Sequence, residues 1–465
     1  MSAFALVIIG SGPAGQKAAI QAAKTGARVL VIEEEARSGG ACVHRGTIPS
    51  KTLRETAVAL GLVRRRSGGV LDVGLSHDLK LMSLMTRLDH VVAAHQRFIA
   101  EQLDRNGVVR WHGRARFTSP TTIEVRGVDG SMRTVTAERI VIATGSRPRN
   151  PKEVPIDHDH ILDSDSILSI SYLPESLVVV GGGVIATEYA CIFASLGVRV
   201  DMVDRAERPL SFIEPELTDE VVRAFGRQGG TFHGGRTATI AWNGATVETT
   251  LDDGRVLRSE KLLYCLGREA NVQHLALHAA GLALTARGHI GVNAHCQTAV
   301  PHIYAVGDVI GPPALAATAM EQGRRAACHA LELPTPTSPE LVPIGIYSIP
   351  EIASVGLTEA QAKERGGVVV GRARFCELAR GQIAAIEDGL LKLVCDADGR
   401  KLLGVQVVGE GATDLVHVGQ IALLAGWDVD AFVDNVFNFP TLAEAYRVAA
   451  LDVLKQRTAC VWQAA

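Results

Sequence analysis

The sequence is poor in aromatic residues, which make up only 5% of its 465 residues, and its 47 basic and 50 acidic side chains nearly balance. Nucleic-acid binding needs clustered Lys and Arg and, for single strands, aromatic rings on which bases stack. The longest basic run, residues 64–66, lies close to two glycines and is typical of a solvated loop. The composition therefore argues against a nucleic-acid partner.

Long apolar runs are also missing. No stretch approaches about 18 consecutive apolar residues, which excludes a membrane-spanning helix, and the apolar residues 3–9 lack the basic flank of a signal peptide. The eight cysteines stand singly, without the Cys-x-x-Cys pairs of zinc sites. Unpaired cysteines are typical of a reducing compartment. We therefore expect a cytoplasmic protein that holds no metal ion and has no membrane partner.

Glycine, by contrast, is abundant, with 47 residues, and some of it forms a nucleotide-binding pattern. An apolar segment leads into Gly10, Gly12 and Gly15, and an Ala-rich helical stretch and a second apolar strand follow, ending at Glu33. Such glycines allow a tight turn and let a pyrophosphate approach a helix N-terminus, while the acid suits a ribose hydroxyl. With strand, helix and acid all in place, this fingerprint predicts a dinucleotide site.

The same pattern occurs a second time. A strand at residues 177–180 leads into a glycine turn that contains Gly181 and Gly183, and a helix and a strand ending at Asp204 follow. In both copies the acid stands 23 residues after the first glycine of the turn. Ordinary glycine-rich loops do not explain two copies at one spacing. The chain is therefore predicted to bind two dinucleotides, and hydride transfer between them is the obvious reaction.

Later motifs divide the chain. Strands that end at Gly145 and Gly267 flank the second nucleotide unit, and a further strand ends near Asp308, whose carboxylate is suited to a polyol hydroxyl. The Pro-rich segment 334–343 predicts a linker, beyond which strands and helices follow one another in an α+β pattern. We therefore expect an α/β protein with two Rossmann-like dinucleotide-binding domains and a C-terminal α+β domain.

This order of motifs resembles the flavoprotein disulfide reductases over nearly the whole chain. The resemblance implies a glutathione reductase-like fold in which the first site binds FAD, the second binds NAD(P)H, and the last domain makes a homodimer. The implied domains are residues 1–150 and 271–340 for FAD, 151–270 for the nicotinamide nucleotide, and 341–465 for dimerisation. The implied FAD contacts are Gly10, Gly12, Gly15, Glu33, Cys42, Lys51, Gly145, Asp308 and Ala316, and the implied nucleotide contacts are Gly181, Gly183, Glu188, Asp204 and Gly267.

Two positions depart from that family. Its redox disulfide is made by Cys-x4-Cys before Pro-Ser-Lys, but here Cys42 is followed by Thr47 where the second cysteine is expected. A threonine hydroxyl forms neither a disulfide nor a stable thiolate. The family's proton-donating histidine is replaced by Phe439, which has no exchangeable proton. Reduction of a disulfide substrate is therefore not the expected reaction.

The residues that serve hydride transfer are kept. By the resemblance, Lys51 lies beside the flavin N5, and Glu188 is its ion-pair partner on the nicotinamide side. A buried ammonium stabilises negative charge on the flavin, and a facing carboxylate keeps that ammonium charged. The candidate catalytic positions are therefore Lys51, Glu188 and Thr47.

A chain that keeps both nucleotide sites but lacks the cysteine pair and the histidine looks like the soluble, Si-specific pyridine nucleotide transhydrogenases. The segments 46–55, 343–351 and 438–452 also carry this likeness. The implied reaction is NADPH + NAD⁺ ⇌ NADP⁺ + NADH, in two half-reactions at one nucleotide site, with FAD carrying the hydride (ping-pong). Two alternatives stay open: an NAD(P)H oxidase or quinone-type diaphorase of the same fold, and a non-catalytic redox-sensing flavoprotein.

The nucleotide preference is a further open point. Asp204 stands where an acid favours the 2′-hydroxyl of NAD(H) and repels the 2′-phosphate of NADP(H). Arg205 follows it immediately. We hypothesise that Arg205 takes the phosphate while Asp204 turns outward or serves NAD(H) only. The alternative is a surface arginine in an NAD-specific enzyme.

Overall fold

The computed structural model describes residues 4–66, 81–335 and 341–463. For residues 64–66, 81–83 and 458–463 it describes the backbone only. The predicted linker 334–343 therefore lies partly outside the described residues, as do the side chains of the basic run 64–66. The chain divides into two compact units. Unit 1 comprises Met1–Thr52, Met82–Asn150 and Gly267–Ser338, and unit 2 comprises Leu53–Leu81, Pro151–Leu266 and Pro339–Ala465.

The described residues form both strands and α-helices, and several strands follow one another without a helix between them. The strands are β1 Phe4–Ile9, β2 Val29–Glu33, β3 Val109–His112, β4 Arg114–Ser119, β5 Thr122–Arg126, β6 Met132–Ile142, β7 Ser146–Pro148, β8 Ile161–Leu162, β9 Ser176–Val180, β10 Arg199–Val203, β11 Gly230–His233, β12 Ala238–Trp242, β13 Val247–Leu251, β14 Val256–Ser259, β15 Lys261–Tyr264, β16 Arg268–Ala270, β17 Ile303–Ala305, β18 Ile344–Ile346, β19 Glu351–Gly356, β20 Val369–Arg374, β21 Leu390–Cys395 and β22 Leu402–Gly409. The α-helices are α1 Pro13–Ala23, α2 Gly40–His44, α3 Thr47–Arg66, α4 Leu81–Arg105, α5 Val184–Ser195, α6 Pro215–Arg227, α7 Ala316–Ala330, α8 Glu359–Glu364, α9 Ala379–Ile383, α10 Ala412–Ala425, α11 Asp430–Asp434 and α12 Glu444–Gln463.

Unit 1 is built on a sheet with the order β3-β2-β1-β6-β5-β4, with β17 also paired to β6. The strands β3, β2, β1, β6 and β17 pair in parallel, whereas β4, β5 and β6 form an antiparallel meander. Strand β1 is almost wholly apolar and buried, as expected for a parallel strand covered on both faces. The parallel part with α1 is the predicted first dinucleotide-binding fold.

Helix α1 is rich in alanine because another helix packs closely on it. Its residues Ala14, Ala18, Ala19 and Ala22 are buried, and α7 supplies the buried Gly323 to the same core. A Cβ atom at Gly323 would lie 2.1 Å from the carbonyl oxygen of Ala14. Small side chains on both helices therefore set how near α7 approaches the nucleotide-binding fold.

Unit 2 contains the second parallel sheet, with the order β11-β10-β9-β15-β8, and the antiparallel sheet β12-β13-β14. The registers of β9 with β10 and β15 align the ends of these strands, so that the turn after β9 lies beside the residue after β10. Helix α5 follows this turn and is buried along most of its length. This arrangement is the predicted second dinucleotide-binding fold.

The C-terminal part of unit 2 has an antiparallel sheet with the order β18-β19-β22-β21-β20. Helices α10, α11 and α12 contribute to one hydrophobic core with β20, β21 and β22. The sequence therefore predicted the fold class correctly: an α/β chain with two Rossmann-like folds and a C-terminal α+β part. Along the described residues, the helices are too short or too polar to cross a membrane.

One charged cluster lies in the core of unit 2. Lys392 is on β21, where all six residues are buried, and its side chain is fully buried. Its ammonium lies 2.9 Å from Glu214, 2.8 Å from Glu216 and 2.7 Å from Glu359. The three carboxylates lie within 4.8 Å of one another, a spacing that suits a metal ion. Here the ammonium of Lys392 supplies the positive charge between them.

The same cluster has a pH-dependent component. A hydrogen bond from Arg372, at 2.5 Å, lowers the pKa of Glu216 from its usual 4.5 to about 2. A lowered carboxyl pKa stabilises the fold above the unfolded pKa, and this stability is lost as the pH falls toward the folded pKa. The cluster is therefore fully formed at neutral pH.

We predict that Lys392→Met lowers the free energy of unfolding by about 3–5 kcal/mol at pH 7, because it removes the buried cation that three neighbouring carboxylates share. The deficit should shrink as the pH falls from 4.5 toward 2, because the Glu216 carboxylate becomes protonated over this range. Urea titrations followed by circular dichroism at several pH values measure it. The control is Lys363→Met, which removes an exposed partner of Glu359 and should cost about 0–1 kcal/mol. Equal losses in both variants would contradict the role of Lys392.

Candidate active site

The first glycine turn connects β1 to α1. Gly10 has a φ angle of +105°, which favours glycine, and a Cβ atom at Gly15 would lie 2.0 Å from the carbonyl oxygen of Gly10. Helix α1 begins after Gly12, and among the described residues no side chain caps it. Its first-turn N–H groups are therefore free to receive an anion such as the pyrophosphate of a dinucleotide. The turn fits the predicted FAD site.

Glu33 lies at the end of β2, beside the same turn. Its Oε2 atom accepts hydrogen bonds from the backbone N–H of Ser11, at 2.7 Å, and from the Ser11 hydroxyl, at 2.6 Å. The Ser11 hydroxyl oxygen also accepts from the N–H of Gly39. Ser11 therefore fixes the carboxylate against the turn, where it can meet a ribose. The sequence reading missed Ser11, which occupies a variable position of the fingerprint.

Asp308 is the second carboxylate of this unit. It follows β17, and its Oδ2 atom accepts a hydrogen bond from the Ser146 hydroxyl at 2.6 Å. The Ser146 oxygen accepts in turn from Nε of Arg268 at 2.8 Å. Gly145 precedes Ser146 with a φ of +69°, and Ala316 begins helix α7 further along. Ser146 and Arg268 were also missed, although each directly follows a glycine that the sequence had indicated.

Cys42, Thr47 and Lys51 form a third group in unit 1. Cys42 lies in the short helix α2, Thr47 begins α3, and the Thr47 hydroxyl hydrogen-bonds the Cys42 sulfur. Burial raises the pKa of the Cys42 thiol above its usual 9.0, although the Thr47 hydrogen bond and the Lys51 ammonium act to lower it. The thiol is therefore protonated at neutral pH, and it is a poor nucleophile in that state.

The second glycine turn connects β9 to α5 in unit 2. Gly181 has a φ of +129°, and a Cβ atom there would lie 2.8 Å from the carbonyl oxygen of Cys265. Helix α5 begins after Gly183, again without a side-chain cap among the described residues. The turn therefore offers N–H groups to a second pyrophosphate.

Gly267, which the sequence also assigned to the nicotinamide nucleotide, belongs to unit 1. It has a φ of +105°, and its carbonyl oxygen accepts a hydrogen bond from the backbone N–H of Arg149.

Asp204 follows β10 and lies against this turn. A Cβ atom at Gly182 would lie 2.9 Å from Cβ and Cγ of Asp204, and Oδ1 of Asp204 accepts the Ala206 N–H at 2.7 Å. The carboxylate thus faces the turn instead of turning outward. Arg205 is exposed and has no ion pair among the described residues, whereas Arg208 pairs with Asp219.

Glu188 lies on α5 and is only 5% exposed. Its Oε1 atom accepts a hydrogen bond from the backbone N–H of Tyr347 at 2.9 Å. Lys51 belongs to unit 1, where its ammonium lies 3.4 Å from the Ser50 hydroxyl. The ion pair between Lys51 and Glu188 stays a prediction.

Phe439 is 69% exposed, so the ring that stands in place of the family's histidine lies on the surface of unit 2.

We predict that Thr47→Cys creates a disulfide with Cys42, because the new thiol takes the place of a hydroxyl that already contacts the Cys42 sulfur. The variant adds one cysteine to the chain's eight. Thiol titration in denaturant, before and after mild oxidation, should show the loss of two thiols. The matched control is Ser50→Cys, one turn further along α3, which should lose none. Retention of all thiols by Thr47→Cys would show that the two positions are not oriented for a disulfide.

Known proteins match this chain over nearly its whole length. The family described as pyridine nucleotide-disulphide oxidoreductase matches residues 4–323, and its dimerisation domain matches residues 342–450. The soluble pyridine nucleotide transhydrogenase of Mycobacterium bovis strain BCG is 46% identical over 464 residues, covering 99% of both chains. That of Hahella chejuensis is 39% identical and covers 97% of this chain and 98% of its own.

Solved structures also match. LpdA from Mycobacterium tuberculosis superposes with a TM-score of 0.88 at 27% identity and covers 97% of this chain and 99% of its own. The Cu(II) complex of the flavoprotein disulfide reductase RclA from Escherichia coli has the same TM-score at 25% identity and the same coverage. The chain therefore belongs to the pyridine nucleotide-disulphide oxidoreductase family and is an FAD-binding oxidoreductase that uses NADH or NADPH.

Proposed function

We propose that the protein is a transhydrogenase that catalyses NADPH + NAD⁺ ⇌ NADP⁺ + NADH without a redox disulfide. The observation that carries this proposal is the contact of Cys42 with Thr47, which leaves a protonated thiol and a hydroxyl where a dithiol is needed. Relatives that align over nearly the full chain at 39–46% identity are named soluble pyridine nucleotide transhydrogenases, which supports the same reaction.

The reaction proceeds in two half-reactions at one nucleotide site. FAD, when bound, would supply the chemistry that carries a hydride between one nicotinamide and the next. The chain itself binds and orients the reactants through its two glycine turns and the acids at their edges, Glu33 and Asp204. Because the oxidised nucleotide leaves before the other enters, no second substrate pocket is needed. The reaction therefore needs no thiol at position 47 and no proton donor at position 439.

Lys51 and Glu188 are the proposed catalytic pair. Lys51 carries positive charge in the first turns of α3, close enough to Cys42 to affect its thiol, and Glu188 is a buried carboxylate on the nucleotide-binding helix α5. An ammonium at the flavin stabilises negative charge there, and a carboxylate at the nicotinamide keeps the ammonium charged. FAD is assigned to Gly10, Gly12, Gly15, Glu33, Cys42, Lys51, Gly145, Asp308 and Ala316, and the nicotinamide nucleotide to Gly181, Gly183, Glu188, Asp204, Arg205 and Gly267.

We also propose that residues 341–465 form a homodimer and that the protein works in the cytoplasm. Helix α10 exposes Val418, Ile421 and Leu424 at helical spacing, with Ile421 60% and Leu424 62% exposed. An exposed apolar row of this kind is typical of an association surface. Of the other domains, we assign residues 1–150 and 271–340 to FAD binding and residues 151–270 to binding of the nicotinamide nucleotide. Sedimentation equilibrium should give twice the mass of one chain, and a monomer mass would contradict the dimer.

The test of the function is anaerobic hydride exchange by the purified flavoprotein, with NADPH as donor and thio-NAD⁺ as acceptor. Parallel reactions replace the acceptor by oxidised lipoamide, O₂ or a quinone. We expect rapid thionicotinamide reduction, parallel double-reciprocal lines and no lipoamide turnover. Turnover with only O₂ or the quinone would contradict the proposal and identify the protein as an oxidase or diaphorase. Flavin reduction without turnover on any acceptor would leave a redox-sensing protein.

We predict that Arg205→Ala raises the apparent KM for NADPH by about 10- to 100-fold, because it removes a charge-assisted hydrogen bond to the 2′-phosphate. The KM for NADH should change by less than about threefold, since Asp204 already faces the turn and suits a ribose hydroxyl. Steady-state kinetics with each donor measure both constants. The control is Arg208→Ala, because that guanidinium is occupied by Asp219. Equal effects of Arg205→Ala on both donors would remove it from this role.

A further inference from the structure

Residues 347–350 form a short segment between β18 and β19, and its backbone hydrogen-bonds helix α5. The Tyr347 N–H donates to Oε1 of Glu188, and the Ile349 N–H donates to the sulfur of Cys191. Glu188 and Cys191 lie one turn apart on α5, and both are almost completely buried. The orientation of the Glu188 carboxylate therefore depends on where this backbone segment lies.

Arg54 also hydrogen-bonds this segment. Its Nε atom donates to the carbonyl oxygen of Ser348 at 3.2 Å, between the two residues whose N–H groups face α5. Residues 348–350 form a bend, and its backbone is therefore held both by Arg54 and by α5. Arg54 is only 5% exposed, which is unusual for an arginine that is not fixed by partners.

A carboxylate fixes Arg54 in this position. One of its terminal nitrogens lies 3.0 Å from Oε1 of Glu351, at the start of β19. The other carboxylate oxygen of Glu351 accepts from the backbone N–H and the hydroxyl of Thr413, at 3.1 and 2.7 Å. A second terminal nitrogen of Arg54 donates to the exposed Glu55 at 2.7 Å. The guanidinium is thus satisfied on several sides, and its planar geometry sets the position of the Ser348 carbonyl.

We propose that Arg54 is a positioning residue for hydride transfer: through Ser348 and Tyr347 it fixes the carboxylate of Glu188 at the nicotinamide. This inference rests on the proposed function of Glu188 and extends it to a residue that touches neither FAD nor nucleotide in the proposed assignments. It explains why a buried arginine is held at the segment that also contacts α5. A charged group buried only for stability is often replaceable by apolar residues.

The experiment uses the FAD-loaded protein and the variants Arg54→Met, Arg54→Lys and Glu188→Gln. Stopped-flow absorbance gives the rate constant of flavin reduction at saturating NADH, and calorimetric titration gives the Kd for NAD⁺. We expect Arg54→Met to lower the rate constant by about 10- to 100-fold, with less than about threefold change in Kd. Arg54→Lys keeps the charge but not the guanidinium geometry, so its rate constant should lie between those of the wild type and Arg54→Met.

A double-mutant cycle separates positioning from general damage to the fold. If Arg54 acts through Glu188, the variant Arg54→Met/Glu188→Gln should reduce no more slowly than Glu188→Gln alone. Independent losses that multiply would overturn the proposal. Amide hydrogen exchange gives a readout that does not depend on the flavin: Arg54→Met should speed exchange at Tyr347 and Ile349, and unchanged exchange there would also overturn it.

The control is Arg457→Met, which removes a partly buried arginine that binds Asp430 at 2.7 and 2.9 Å, away from the segment. It should change neither the reduction rate nor exchange at Tyr347. Should Arg54→Met fail to fold, the cycle is run with Arg54→Lys. Since the readouts are flavin reduction and amide exchange, they test Arg54 even where thio-NAD⁺ is not an acceptor. A failed transhydrogenase assay would therefore contradict the proposed function. Independent losses in the double-mutant cycle would contradict the role of Arg54.

Discussion

The close approach of helix to strand at the first glycine turn is the constraint on which the FAD side of the protein depends. A Cβ atom at Gly15 would lie 2.0 Å from the carbonyl oxygen of Gly10, so any other residue would push α1 away from β1. The same helix is approached by α7 to within a distance that excludes a side chain at Gly323. Glu33 and Asp308 are placed relative to this frame, because β2 and β17 belong to the same sheet. Without these contacts the acids and the helix N-terminus would not converge.

The unusual chemistry arises from side chains on an ordinary backbone. Cys42 in α2 and Thr47 at the start of α3 still interact, as the two halves of a disulfide would. Because oxygen takes the place of sulfur at one position, the pair cannot store two electrons. Burial keeps the remaining thiol protonated. The two dinucleotide-binding folds of the family remain, and hydride transfer between nicotinamide nucleotides is the proposed chemistry.

Buried charges in unit 2 have two different uses. Lys392 neutralises three carboxylates and joins the segment around α6 to β21 and α8 within the core. Arg54 and Glu351 instead hold a piece of backbone whose N–H groups face α5. Both clusters are costly to bury and are stable only because every charge has partners. The first concerns stability, and the second is linked to the orientation of a single carboxylate.

The sequence alone determined the two dinucleotide folds, because glycine turns, apolar strands and terminal acids have a fixed spacing that needs no knowledge of distant contacts. The proposed absence of a redox disulfide likewise depends only on the identity of residue 47. The tertiary structure decided which polar groups meet: Ser11 with Glu33, Ser146 with Asp308, and Arg54 with Ser348 and Glu351. Arg54 and Ser348 are 294 positions apart in the sequence. Local patterns cannot identify such partners, because only packing of the whole unit brings them within hydrogen-bonding distance.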